Sequence, residues 1–158
     1  MKKSFFSALI LSAVLFLSSC GDGAAYVNEV IVARADKAVD LMSEVMDKIG
    51  DDEYDQALLY LDSVSIHVKE STDVISKLDN KSAEELKKVT LEYLSLFDGG
   101  VADFKQAIQL FQSEETSYEQ HNKAVGLINS FTEKVDGKLK EAQAAQVEFA
   151  KANNIKLQ

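Results

Sequence analysis

The sequence predicts an all-α protein, an up-down-up-down antiparallel four-helix bundle with left-handed packing. Three observations carry this. Proline is absent and glycine occurs seven times in 158 residues, so the chain lacks the turn residues that a many-stranded protein needs. Apolar residues return at alternating four- and three-residue steps along four separate stretches. The connections between them are short, and short connections make neighbouring helices antiparallel. A 3.5-residue repeat also sets a left-handed supercoil, with helices crossing near about 20°.

The first helix is expected over 26–49. Its stripe is Val27, Ile31, Ala38, Leu41, Val45 and Ile49, interrupted by Arg34. Gly50 suits its C-terminus, and Asp51 and Asp52 offer an N-cap to the second helix, 52–78. That helix carries Tyr54, Leu58, Leu61, Ser65, Val68, Thr72 and Ile75, which leaves His67 off the stripe and facing solvent. Asp79-Asn80-Lys81 reads as a turn. Ser82-Ala83-Glu84-Glu85 has the form of a capping box and opens the third helix, 83–112. Here the stripe is Leu86, Thr90, Tyr93, Phe97, Gly100, Phe104, Ala107 and Phe111.

Gly99-Gly100 sits mid-helix, where each glycine costs about 1 kcal/mol relative to alanine. The pair signals a kink, a break after Asp98, or a thin wall where another group approaches closely; the kink is preferred. Thr116-Ser117-Tyr118-Glu119 supplies a second capping box for the fourth helix, 117–152. Its stripe runs Tyr118, His121, Val125, Ile128, Thr132, Val135, Leu139, Ala142, Gln146 and Phe149. All four helices far exceed the usual length of about 11–12 residues. Heptad stripes also pair between chains, so oligomeric state stays open.

Ahead of the bundle, Lys2 and Lys3 precede an apolar run from Ser4 to Leu17, and Leu17-Ser18-Ser19-Cys20 follows. A buried helix or a membrane span would also be apolar, but a span needs roughly 20 residues. The order of charge, short apolar core and small residues before cysteine resembles a bacterial lipoprotein signal peptide with its lipobox. The resemblance implies cleavage after residue 19 and diacylglycerol on Cys20, often with an acylated amine. One chain gives only marginal binding, at about 0.8 kcal/mol per buried CH₂, whereas three anchor firmly. Residues 20–25 then form the lipidated cysteine and a tether, and 26–158 the bundle. Cys20 is the sole cysteine, so no disulfide forms within the chain. In enteric bacteria an aspartate directly after the cysteine resembles an inner-membrane retention signal. Gly21 stands there, with Asp22 next, which leans toward the outer membrane.

Removal of Lys2 and Lys3 with the signal takes 17 basic residues to 15 against 26 acidic ones, a mature charge of −11. Such a surface argues against nucleic acid as a partner and against a polybasic membrane patch. The expected partners are the membrane, through the N-terminal lipid, and an envelope or surface protein.

Nothing in the sequence calls for catalysis or a cofactor. Neither His67 nor His121 follows a glutamate by three residues, as a di-iron bundle site requires. No C-x-x-C-H, nucleophile elbow or phosphate loop occurs. Met42, Met46 and His121 fall at one end of an antiparallel bundle and form the alternative, a haem, metal or apolar-ligand site between helices. Asp51-Asp52-Glu53-Tyr54-Asp55 lacks EF-hand spacing and is better read as acids offsetting a helix dipole.

Bundle topology sorts the charges. Asp51, Asp52, Glu53 and Asp55 in one turn, and Glu114, Glu115 and Glu119 in another, fall at the end away from the lipid. The near end carries Lys77, Lys81, Lys87, Lys88, Lys151 and Lys156. This sorting reads either as an ordinary solvated surface that keeps the protein soluble or, as a binding feature, as an acidic tip offered to a basic protein with the lysines facing lipid head groups.

Two segments, Tyr26-Val27-Asn28-Glu29-Val30-Ile31-Val32 and Gln146-Val147-Glu148-Phe149-Ala150-Lys151-Ala152-Asn153, resemble a family of small bacterial surface lipoproteins first noted in spirochaetes. The resemblance implies an envelope location and a helical domain, and brings no catalytic residues.

Overall fold

The computed structural model describes residues 22–113 and 117–157. Four helices account for nearly all of them: α1 (Asp22–Gly50), α2 (Tyr54–Ser76), α3 (Glu84–Phe111) and α4 (Tyr118–Ala152), with a 3₁₀ turn at Lys81–Ala83 before α3. No strand occurs among the described residues. The signal segment, Cys20 and the Glu114–Glu115 pair lie outside them.

Cross-helix pairs fix the directions. Arg34 meets His67 and Lys48 meets Glu53, so positions rise on α1 as they fall on α2. Tyr54 with Phe111, Asp62 with Lys105 and Ser65 with Asp98 do the same for α2 and α3. Phe131 with Phe104, Glu92 with Lys138 and Ser82 with Asn153 do so for α3 and α4. The four helices therefore run up, down, up and down. α3 and α4 pack most extensively, then α1 on α2 and α2 on α3. α1 and α4 make no comparably extended approach, so the closing seam is the least tight of the four.

α3 realises its predicted stripe: Leu86, Thr90, Tyr93, Phe97, Gly100, Phe104 and Ala107 are all buried. The helix runs through Gly99-Gly100 without a break. Gly99 faces open space, whereas a Cβ on Gly100 would lie 2.4 Å from the Phe131 ring. The close approach is thus internal, an aromatic side chain on bare backbone. Phe131 stands edge-on to Phe97 and Phe104, with centroids 5.7 and 5.1 Å away.

Several sequence expectations need correction. α1 starts at Asp22, not 26, and Ala24 is already buried in the core, so 22–25 are helix rather than tether. Ala24 and Ala25 are strong helix formers, and burial of Ala24 offsets the poor propensity of Gly23. The α2 core runs through Ala57, Leu61, Val64, Val68, Ser71 and Ile75, while Thr72 is exposed. On α4 the core positions are Ala124, Phe131, Val135, Ala142, Gln146, Phe149 and Ala150; Tyr118 and His121 are exposed, and Val125 lies at the surface.

The helix ends differ as well. Neither Asp51 nor Asp52 caps α2, whose N-cap residue is Glu53 with no side-chain cap bond. Asp52 instead adopts φ 60° and ends α1. Its N–H donates to the Ile49 carbonyl and the Glu53 N–H to Lys48, the paired bonds of a Schellman motif. Gly50 is only the last helical residue, without positive φ. α4 ends the same way. Asn154 has φ 55°, the Ile155 N–H donates to Ala150, and Ile155 folds back on the core. Asn80, not Ser82, caps the turn into α3, accepting from the Ser82 N–H at 2.9 Å. The second capping box is Ser117 with Gln120, one residue later than expected.

Gly99→Ala should stabilise the protein by about 1 kcal/mol, because it adds helix propensity in open space. Gly100→Ala should instead destabilise it by about 1–2 kcal/mol, since overpacking outweighs the propensity gain. Denaturant midpoints of the two variants should move in opposite directions, and Phe131→Leu should relieve part of the Gly100→Ala loss.

Candidate functional site

The bundle ends come first. The α1–α2 turn, the end of α3 and the start of α4 lie together at the end opposite the start of α1. Three rings hold them there. Tyr54 at the start of α2 stacks with Phe111 at the end of α3, centroids 6.2 Å apart and planes within 16°. Phe111 meets His121 of α4 edge to face at 5.4 Å. Around this string Asp51, Asp52, Glu53, Asp55 and Glu119 are all exposed.

The acids are not equivalent. Glu53 pairs with Lys48, and the Tyr54 hydroxyl donates to Asp52 Oδ1 at 2.7 Å. Burial and that bond to Asp52 push the Tyr54 phenol up to about 12. Asp51, Asp55 and Glu119 have no ion pair among the described residues. Tyr118 is 83% exposed beside them, a large amphipathic ring at the first position of α4. Shallow open depressions flank the string, one lined by Asp52, Tyr54, Asp55, Gln56 and Gln112, the other by Ser117, Glu119, Gln120 and Lys123. The surface is therefore acidic with an aromatic at its edge; Lys48, paired with Glu53, and Lys123 of the second depression are its counter-charges.

Met42, Met46 and His121 do not present as one open site. Met42 is wholly enclosed in the apolar cluster, Met46 packs at its margin, and His121 is exposed against Phe111. No group of three or more His, Cys, Asp or Glu side chains is placed to hold a metal ion among the described residues.

His67 is not the free surface residue its position off the stripe implied. It is half-buried, with Nε2 2.9 Å from the Arg34 carbonyl and 3.1 Å from Ser71 Oγ. A carbonyl can only accept, so Nε2 carries the proton and donates to α1. A bond between two helices has no sequence period, and the stripe alone could not reveal it.

Polar groups missed by sequence reading gather toward the α1–α4 side. Asn28 and Gln146 are buried, and Asn28 Oδ1 has no hydrogen-bond partner among the described residues. The Tyr93 hydroxyl, also without a partner among the described residues, belongs to a side chain only 1% exposed. Burial raises its pKa, and Asp36 of α1 and Asp136 of α4 raise it further. Asp36 is half-buried; burial, then the neighbouring Asp40, push its carboxyl up to about 6. The periodic stripe passes over Asp36 and Asn28, which lie at its edge.

Because folding raises the Asp36 pKa above its usual 3.8, the native state binds that proton more tightly than the unfolded chain. Its contribution to stability is full below about pH 4 and is lost as pH rises toward 6. Asp36→Asn should then stabilise the protein at pH 7 by about 1–2 kcal/mol after allowance for solvent screening, and do little at pH 4. Tyr93→Phe should add about 1 kcal/mol, since it removes an unpaired buried hydroxyl. Thermal melts at both pH values test the two effects.

Compared with known protein families, with characterised proteins and with solved structures, the chain has no significant match in any of the three.

Proposed function

We propose that this chain is a membrane-anchored bacterial lipoprotein of binding or structural type, whose helical bundle offers its acidic end to a basic protein of the envelope or cell surface. The lipobox at Leu17–Cys20 supports the anchor, although it lies outside the described residues. One observation supports the binding role above others. The Tyr54–Phe111–His121 string holds the acidic α1–α2 turn and the start of α4 together, and Tyr118 is exposed at that start. Unpaired carboxylates beside an exposed tyrosine suit a basic partner, because charge steers encounter and the aromatic supplies contact area. No described helix is long and apolar enough to cross a membrane, so the lipid would carry the attachment.

Two experiments separate the anchor from the tip. Cys20→Ser should release the protein from membranes into the soluble fraction. A photocrosslinker at position 118 of the anchored protein should capture a partner, and Asp51→Asn, Asp52→Asn and Asp55→Asn together should abolish the capture. Asparagine tolerates the left-handed conformation of Asp52, so the fold should survive. An unchanged crosslink pattern would sink the tip, and membrane retention of Cys20→Ser would sink the anchor. Protease shaving of intact cells bearing a C-terminal tag then identifies the face.

A further inference from the structure

The end of the bundle opposite the acidic tip contains the start of α1, the α2–α3 turn and the end of α4. We infer that this end seats directly on the phospholipid head groups, with Tyr26 in the interfacial layer. The inference rests on the lipid anchor proposed above and adds a contact surface to it.

The helix start is the first argument. α1 is continuous from Asp22, so Gly21 alone separates the helix from Cys20. Two residue steps span at most about 7 Å. A free tether of six residues, by contrast, would let the bundle wander by about 12–15 Å. The short connection keeps the end of α1 beside its own lipid.

Tyr26 is the second. It is 61% exposed in a helix that otherwise buries its large residues well. Its Cα lies four residues, about 6 Å, along α1 from Asp22. Side chains lean toward a helix N-terminus, here toward the lipid. The head-group layer is roughly 5–7 Å deep on each side of a bilayer, so the phenol reaches it. Tyrosine prefers that layer because its ring is apolar and its hydroxyl wet.

Charge is the third. Lys77, Lys87 and Lys88 are engaged with Asp73, Glu84 and Glu85. Lys87 also donates to the Leu78 carbonyl at 2.8 Å. Lys81, Lys151 and Lys156 are exposed and form no ion pair among the described residues. Glu29, Asp79 and Glu148 share this end, so it is nearly neutral rather than basic. An anionic leaflet therefore tolerates this end while repelling the acidic one, which orients the bundle upright.

The chain contains no tryptophan, so a single one reports its own site. The full lipidated protein carrying Tyr26→Trp is reconstituted into vesicles of phosphatidylethanolamine and phosphatidylglycerol; a second sample carries Tyr118→Trp. Both sites are exposed, so the substitutions should leave the core intact. The inference expects Trp emission at 26 to shift to the blue, resist iodide, and be quenched by lipids brominated near the head group. At 118 the emission should stay water-like. If the protein floats with the vesicles but the tryptophan at 26 remains open to iodide, the seating is wrong and the anchor stands. If the protein fails to float, both fall.

Discussion

The Phe131 ring on the bare backbone of Gly100 is the contact on which the rest of this bundle depends. α3 is the shared wall: it packs on α4 and α2 along its length and meets α1 across the middle. The aromatic column Tyr93, Phe97, Phe104 fills that wall, and Phe131 enters it from α4 edge to face. Such ring pairs add about 0.5–1.5 kcal/mol each beyond burial. Only a residue without Cβ lets the ring come so near, so the helix tolerates a poor helix former within the most extensive helix pair in the molecule. With α4 drawn to α3, its N-terminus arrives beside Phe111, and the tip is assembled.

Four helices, their order and most of their limits were legible in the sequence, because burial of a long stripe leaves a period that nothing else imitates. α3 shows this best, since its apolar residues are large and numerous. α4 shows the limit. Its first half carries few large apolar side chains, and two neighbouring registers, one through Tyr118, Val125 and Thr132, the other through Ala124 and Phe131, compete on similar terms. Only the partner decides, and the partner is Gly100. The glycine pair was itself the available clue, for a thin wall in one helix calls for a large group in another.

Helix ends were misread for a different reason. Thr116 has Glu119 three residues on, and Ser117 has Gln120, so both offer a capping box and sequence does not rank them. Gly50 looks like a C-cap, but the left-handed position falls two residues later, at Asp52, where an acid can also receive the Tyr54 hydroxyl. Local propensity names the residues able to do a job; the geometry of the neighbouring helix picks one. The tip residues Asp51, Asp52, Glu53, Asp55 and Glu119 were legible as a group because topology alone puts the two turns at one end. Tyr54, Phe111 and His121, which hold them, read as separate stripe positions.

Closing a bundle between its first and last helices is topologically the most distant step, and this chain makes it with its least apolar materials. Asn28, Asp36 and Tyr93 bring an unpaired amide oxygen, a carboxyl reluctant to ionise and an unpaired hydroxyl toward the α1–α4 side. Buried polar groups of this kind cost free energy that a leucine in the same place would not. The other three helix pairs are bound by ion pairs, rings or carbonyl bonds, such as Lys105 with Asp62 and His67 with Arg34. Stability is thus concentrated in α2, α3 and the contacts that α3 makes. The α1–α4 seam is left as the place where this bundle opens first when its packing is loosened.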